Sequence, residues 1–299
     1  MRTIGPFVLT AIVLAGCHTP LPEPTFLRPF TPPPPVTEFL VKETRLVNGA
    51  VSVRLDIPLS PVGPKPTVIA LFGDTHQFVA AGFVAVTYNI NWALLKGPAP
   101  PPPPQQVVGK WVLASPSAAV LGETYLRGIA STATDYVPKI IDWLVTVPDV
   151  DATRIGMVGV STNGFVTLQA VAADRRIRAA VAVAACGDYH RFLRYSSMGM
   201  EGRPLDLDPA YDRWVQSQEV IRNPRPVVHA ALLMVNRVPD ELIPISCADE
   251  TARALARAYK RAGAADRFRY VRVPEAGHGI GLEERRETLV WLQDWLQGR

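Results

Sequence analysis

Apolar and polar residues alternate strictly over Val51-Ser52-Val53-Arg54-Leu55-Asp56-Ile57, the pattern of a strand with one buried and one wet face. Asn48-Gly49 stands just before it, a dipeptide suited to the positive backbone angles of a tight hairpin. Residues 37–47 are therefore expected to run alongside as the partner strand. Further on the pattern changes. Short continuous apolar runs recur at 67–72, 83–88, 155–160, 179–185 and 231–235, with a last candidate at 268–273. Such runs suit strands covered on both faces, as in a parallel sheet. Between them, apolar residues fall at helical spacing over 125–145, 164–173, 247–261 and 283–296. A hairpin followed by alternating strands and helices predicts an α/β fold, a mostly parallel eight-stranded sheet with helices on both faces.

Two proline-rich stretches break this rhythm. Residues 18–36, which include Pro32 to Pro35 in succession, cannot build a sheet interior and read as an extended, semi-rigid stalk. Pro98 and Pro100 to Pro104 form the second run. It is expected to be a surface loop rather than a boundary, because the strand–helix rhythm resumes after it. The segment 73–82 is too short for a full helix, so the first crossover should be clipped. Residues 37–299 then make one domain.

Composition adds little to that picture. Of 299 residues, 48% are hydrophobic and 19% charged, ordinary for a globular protein that needs no staples to form its core. The net charge of +4 is spread thinly, and no basic run interleaved with aromatics marks a nucleic-acid groove. The three cysteines, Cys17, Cys186 and Cys247, and the five histidines form no zinc-ligand spacing, so a zinc site is not expected. Cys186 ends an expected strand and Cys247 opens an expected helix. They are read as two separate buried thiols, with a disulfide left open for an oxidising compartment.

The first residues look like an address. Met1-Arg2-Thr3 gives a short positive start, and residues 4–15 are mostly apolar but too few to span a bilayer. They end in Leu14-Ala15-Gly16-Cys17, which resembles a bacterial lipobox. The resemblance implies a signal peptide over 1–16, acylation of Cys17, and membrane lipid as a partner at the bacterial cell envelope. His18 after the cysteine points to the outer membrane if the cell is Gram-negative. An ordinary secretory signal with a coincidental cysteine is the plainer alternative.

The candidate chemistry begins at Arg154-Ile-Gly-Met-Val-Gly-Val-Ser161-Thr-Asn-Gly164, where a strand passes directly into a helix. A serine at so tight a turn sits in a strained backbone, and bulk two positions to either side would collide. Gly159 meets that need on one side and Asn163 stands on the other. The plain alternative is a serine N-cap on a buried helix. Downstream, the apolar run 231–235 leads through Asn236 into Arg237-Val-Pro-Asp240-Glu-Leu-Ile-Pro244, and the last run leads into Pro274-Glu-Ala-Gly-His278-Gly. A serine needs a base to take its proton, and that base needs a carboxylate to fix its tautomer.

Ser161, Asp240 and His278, in that order and each after a strand, resemble the triad of the α/β-hydrolase superfamily. Glu241 is the alternative acid and Asp188 the fallback. The resemblance implies an oxyanion hole made by the N–H of Thr162 and a second N–H from Phe72-Gly73-Asp74-Thr75-His76. There Asp74 is the first choice and Thr75 the second; His76 is a partner for Asp74 or a substrate contact. The motifs Ile155-Gly-Met-Val-Gly-Val-Ser161 and Asp240-Glu-Leu-Ile-Pro244 are most similar to the dienelactone-hydrolase and acetyl-xylan-esterase-like branch. That branch implies cleavage of small carboxylic esters through an acyl-enzyme, without metal or organic cofactor. A small cap between the sixth and seventh strands, residues 187–226, would carry Tyr189, His190, Phe192, Tyr195, Met198, Met200, Tyr211 and Trp214, either lining a pocket or merely packing the cap.

Three readings compete: a surface-anchored esterase, a serine peptidase or acyltransferase on the same triad, and a catalytically silent hydrolase-fold binding protein. The short cap and the lack of a propeller-like domain argue against the oligopeptidase type. Asn163 and Asp74 are the best support for the silent reading.

Overall fold

The computed structural model describes residues 38–71, 75–91, 105–108, 111–114, 125–199, 207, 209–275 and 277–298. Cys17, the proline stalk, Asp74 and Met200 lie outside them. The chain opens with β1 (Phe39–Leu46) and β2 (Val51–Pro58), antiparallel and in register from Phe39↔Pro58 to Leu46↔Val51. The turn between them takes positive φ at Val47 (51°), Asn48 (52°) and Gly49 (88°). The Asn-Gly signal does its expected work here. β3 (Lys65–Leu71), α1 (His76–Ala80) and β4 (Val84–Ile90) follow. With five residues, α1 is the clipped crossover that the sequence implied.

The segment after β4 holds more than a loop. β5 (Gln105–Val108) and β6 (Trp111–Ala114) pair antiparallel as a separate ribbon. Its sequence is rich in β-branched and aromatic residues once the proline run ends at Pro104. The expected helix over 125–145 is also interrupted. α2 (Arg127–Ser131) and α3 (Val137–Leu144) flank a π turn over Thr132–Tyr136. Pro138 has no N–H to donate into the ladder, and the Thr132 and Thr134 hydroxyls donate back to the carbonyls of Gly128 and Ala130.

The second half alternates as expected. β7 (Val150–Val160), α4 (Thr162–Ala173) and β8 (Ile177–Val183) come first. The insertion follows, with α5 (Tyr189–Tyr195) and α6 (Pro209–Gln218). β9 (Ala231–Arg237), α7 (Ile245–Arg261), β10 (Phe268–Val273) and α8 (Leu282–Gln297) complete the chain. Eight strands form one sheet in the order β1-β2-β4-β3-β7-β8-β9-β10. The β1/β2 and β2/β4 pairs are antiparallel and the rest parallel.

Two glycines of β7 show how closely both faces are covered. A Cβ on Gly156 would meet Leu296 and Leu292 of α8, whereas one on Gly159 would meet Asn163 and Thr167 of α4. The central strands are accordingly buried throughout, from Ile155 to Val158 and from Ala179 to Ala185. No helix among the described residues is long and apolar enough to cross a membrane.

One expectation is corrected here. Cys186 and Cys247 are joined in a disulfide, with Cα atoms 5.7 Å apart, rather than standing as separate thiols. The parallel sheet brings the exit of β8 beside the start of α7, because β8 and β9 are neighbours and α7 begins just after β9. That separation suits a disulfide. Sequence spacing could not supply it.

Candidate active site

Chain direction reverses its lateral progress at β3. The strand order moves outward from β3 to β4 and then resumes with β7 on the other side. In open α/β sheets the crevice at such a switch point, beyond the carboxyl ends of the strands, is where ligands bind. β7 ends there, and Ser161 is the next residue.

Ser161 has φ 59° and ψ −124°, a conformation that costs a non-glycine residue about 1–3 kcal/mol. The turn is held from both sides. The Ser161 N–H donates to the carbonyl of Val183 at 2.9 Å, and its own carbonyl accepts from the N–H groups of Gly164 and Phe165 at 2.8 and 3.1 Å. Its hydroxyl makes no capping bond to α4, so the residue is more than a helix cap. A Cβ on Gly159 would stand 2.0 Å from the carbonyl oxygen of Asn163, and one on Gly164 2.6 Å from that of Val183. The glycines this turn requires are therefore 159 and 164. Asn163 lies inside α4, one residue short of the glycine that the packing requires.

The acid and base loops meet beyond the same edge. Asp240 is 6% exposed. One of its oxygens, Oδ1, accepts from the N–H groups of Leu242 and Ile243 at 2.9 and 3.0 Å. His278 Nδ1 lies 2.9 Å from Oδ2 and 3.1 Å from Oδ1. The imidazole reaches this position from a loop whose flanking glycines, Gly277 and Gly279, have φ of 97° and 130°, angles that need glycine. The N–H of Val238 donates to Val273 and that of Gly277 to Pro239, so the loops are stitched together. Beside them, Arg237 Nε donates to Glu284 Oε1 at 2.9 Å.

The other candidate acids are elsewhere. The Glu241 side chain is exposed, and Asp188 caps α5 by accepting from the N–H of Arg191 at 3.0 Å. β7, β9 and β10 run parallel, so Ser161, Asp240 and His278 all emerge at one edge of the sheet. Thr162 opens α4 with its N–H at the helix start. Thr75 is buried with its hydroxyl on Asp56 Oδ2 at 2.8 Å, and the His76 ring lies 5.5 Å from Phe39. The first-choice second oxyanion donor, Asp74, lies outside the described residues.

The insertion packs over this edge. Tyr189 and Phe192 of α5 are fully buried against Phe165 of α4, so these aromatics serve packing first. Tyr211 and Trp214 of α6 stack on each other, and the Arg127 guanidinium lies 4.6 Å from the Trp214 ring. His190 is gripped by two carboxylates, with Nδ1 2.7 Å from Glu219 Oε1 and Nε2 2.5 Å from Asp212 Oδ1. Hydrogen bonding to Glu219, reinforced by Asp212, raises the imidazole pKa to about 9 against the cost of burial. Among the described residues no group of His, Cys, Asp and Glu is arranged to hold a metal ion.

Sequence reasoning missed Tyr125. Its phenol oxygen is 3.0 Å from Thr162 Oγ1, and burial pushes its pKa up to about 12, offset in part by that bond. A signal was there. The helix leading into a parallel strand runs back along the sheet, so its first residues start at the edge where the carboxyl ends of the strands lie.

Comparison with known proteins supports this picture at three levels. The model of the prolyl oligopeptidase family matches residues 130–299, more than half of the chain. YtaP of Bacillus subtilis (strain 168), a protein provisionally named a hydrolase, is 28% identical over 156 residues, 52% of this chain and 50% of that one. Among solved structures, a Pyrococcus horikoshii acylaminoacyl peptidase superposes with a TM-score of 0.62 at 14% identity, over 86% of this chain and 42% of that one. A puromycin-hydrolyzing peptidase of Mycobacterium tuberculosis gives 0.60 at 16% identity, over 86% and 39%. TT1662 from Thermus thermophilus gives 0.58 at 19%, over 87% of this chain and 100% of that one.

The match spans half of YtaP and about two fifths of the two peptidases. The family match does not single out the dienelactone-hydrolase and acetyl-xylan-esterase-like branch that the motifs resemble. Eight strands in this order, the elbow at Ser161 and the matched segment agree: the chain has the α/β-hydrolase fold and belongs to the prolyl oligopeptidase family.

Proposed function

We propose that this protein is a serine hydrolase that cleaves small carboxylic esters through an acyl-enzyme on Ser161, His278 and Asp240. The observation that carries the reading is the Asp240–His278 pair, with Nδ1 2.9 Å from Oδ2, beyond the same sheet edge as a serine held at φ 59°. The bond to Asp240 fixes the tautomer, with the proton on Nδ1 and the lone pair on Nε2. In the proposed reaction Nε2 takes the proton of Ser161 Oγ as that oxygen attacks the ester carbonyl. The negative charge that develops is met by the N–H of Thr162 at the positive end of α4. By its place in the sequence, Asp74 supplies the second N–H, with Thr75 as the alternative. The intermediate collapses, His278 returns the proton to the departing alcohol, and water repeats the sequence to release the acid.

An ester is the lesser demand on this machinery, because an alkoxide leaves more readily than the anion of an amine. The family match favours a second reading, in which the same triad cleaves peptide bonds. Labelling by a fluorophosphonate probe, compared between wild type and Ser161→Ala, tests the chemistry. Loss of labelling in the variant supports a Ser161 nucleophile, whereas equal labelling in both refutes it, and no labelling of the wild type favours the silent binding protein. p-Nitrophenyl esters of rising chain length, set beside the p-nitroanilide of the same acyl group, then test the substrate class. Turnover of the C2 to C4 esters is expected. Preference for C12 or longer, or for the anilide, would replace this assignment.

We also propose that Cys17 is acylated and that residues 18–36 hold the catalytic domain, 37–299, off the membrane. The support is the sequence Leu14-Ala15-Gly16-Cys17 and the proline content that follows. In a bacterial host, palmitate incorporation that disappears in Cys17→Ala is the expected result, and its persistence would remove the anchor.

A further inference from the structure

Thr162 follows the proposed nucleophile and opens α4. Its side chain is exposed and would rotate freely in water, yet its Oγ1 lies 3.0 Å from the hydroxyl of Tyr125. Tyr125 is itself fixed on two sides. Its ring centroid is 6.2 Å from that of Phe165, one turn further along α4, in an edge-on arrangement, and 6.0 Å from that of Phe192 in α5 of the insertion. The phenol is thus braced against the helix whose first turn it holds. A hydrogen bond to the side chain of Thr162 restrains its Cα–Cβ bond. Through it, the bond restrains the peptide unit between Ser161 and Thr162, which carries the N–H aimed at the oxyanion.

We infer that Tyr125 is a positioning residue for the oxyanion turn, acting through the hydroxyl of Thr162; this rests on the reading of Ser161 as nucleophile. The ring packs the hydrophobic junction of α4 and α5, and the hydroxyl aligns the donor. The two roles separate chemically. Tyr125→Phe keeps the ring and loses only the oxygen, and Thr162→Val keeps the branched shape and loses only the hydroxyl. An aligned oxyanion donor acts in the transition state and not on bound substrate. Its loss therefore falls on kcat and leaves KM in place.

The experiment measures kcat and KM for p-nitrophenyl acetate in wild type, Tyr125→Phe, Thr162→Val and the double variant. Thermal unfolding of each, and fluorophosphonate labelling of the wild type, complete it. Each single variant is expected to lose about tenfold in kcat, the rate equivalent of one hydrogen bond, with KM unchanged. The double variant should lose no more than either single one, since both remove the same bond, and the melting temperatures should agree. Wild-type kcat in Tyr125→Phe overturns the inference, as do losses that multiply in the double variant or that appear in KM alone. In those cases labelled Ser161 leaves the nucleophile reading intact. Wild type that takes no label at Ser161 overturns both.

Discussion

A side chain at position 159 has nowhere to go. The carbonyl oxygen of Asn163 already occupies the space within 2.0 Å of where a Cβ would sit, and that atom is backbone. Gly159→Ala is expected to destabilise the protein by roughly 1–3 kcal/mol or more, read in urea unfolding, with loss of fluorophosphonate labelling. Asn163→Gly brings the local sequence to the commoner pattern. It should change stability by less than about 1 kcal/mol and leave the labelling rate intact. The variant that restores the motif is thus the uninformative one, and the decisive glycines are those that the packing names. Asp240 invites a finer test. Asp240→Asn can still accept from the N–H groups of Leu242 and Ile243, but it no longer stabilises an imidazolium and can set the wrong tautomer. Its kcat should fall by about 10⁴ while its melting temperature stays near that of the wild type; a loss below tenfold would dismiss Asp240 as the acid.

At the scale of elements, the sheet was open to reading in advance and much of what surrounds the site was not. Buried parallel strands announce themselves as apolar runs, since both of their faces lie against helices, and β7 to β9 were found for that reason. The β5–β6 ribbon was hidden by the prolines that precede it. α5 and α6 offer no clean apolar stripe, because their residues are shared between Phe165, Arg127 and a cluster of charges. The meeting of Asp240 and His278 at the strand ends was legible because the order of these loops along the chain is fixed by the fold. Tyr125 was overlooked, because an aromatic at the head of an amphipathic helix looks like core, and only its place at the strand-end edge marks it out.

Two charged clusters make predictions at this scale. Arg237, partly buried, and Glu284, buried, pair beside the loops of Asp240 and His278, at 2.8 Å. Glu284→Ala leaves the guanidinium without that partner and should cost about 3–5 kcal/mol in urea unfolding. His190 joins α5 to Asp212 of α6 and to Glu219. Its pKa rises from 6.5 to about 9 on folding, so the folded state binds its proton more tightly than the unfolded one does. The stability it adds is complete below about pH 6.5 and is lost as pH climbs through about 9. Melting temperatures of wild type and His190→Gln should therefore converge between pH 7 and 10. A constant gap across that range would refute the charged clamp.

For the molecule as a whole, the disulfide is the covalent link between distant parts of the sheet edge. It joins residues 61 apart in sequence, and both cysteines are fully buried. Losing it should lower unfolding stability by about 2–4 kcal/mol, measured in urea with and without a strong phosphine reductant. Because the sulfurs are inaccessible in the native state, the reductant should act at the rate of opening rather than at its own.

The stretch enclosed by that bond runs from Gly187 to Ser246 and contains α5, α6, β9 and Asp240. It is a covalent ring rooted at one point in the scaffold. A protease that nicks it once opens the ring without releasing a fragment. Asp240 stays tethered from one side or the other, and the two pieces travel together on a gel until the sulfurs are parted.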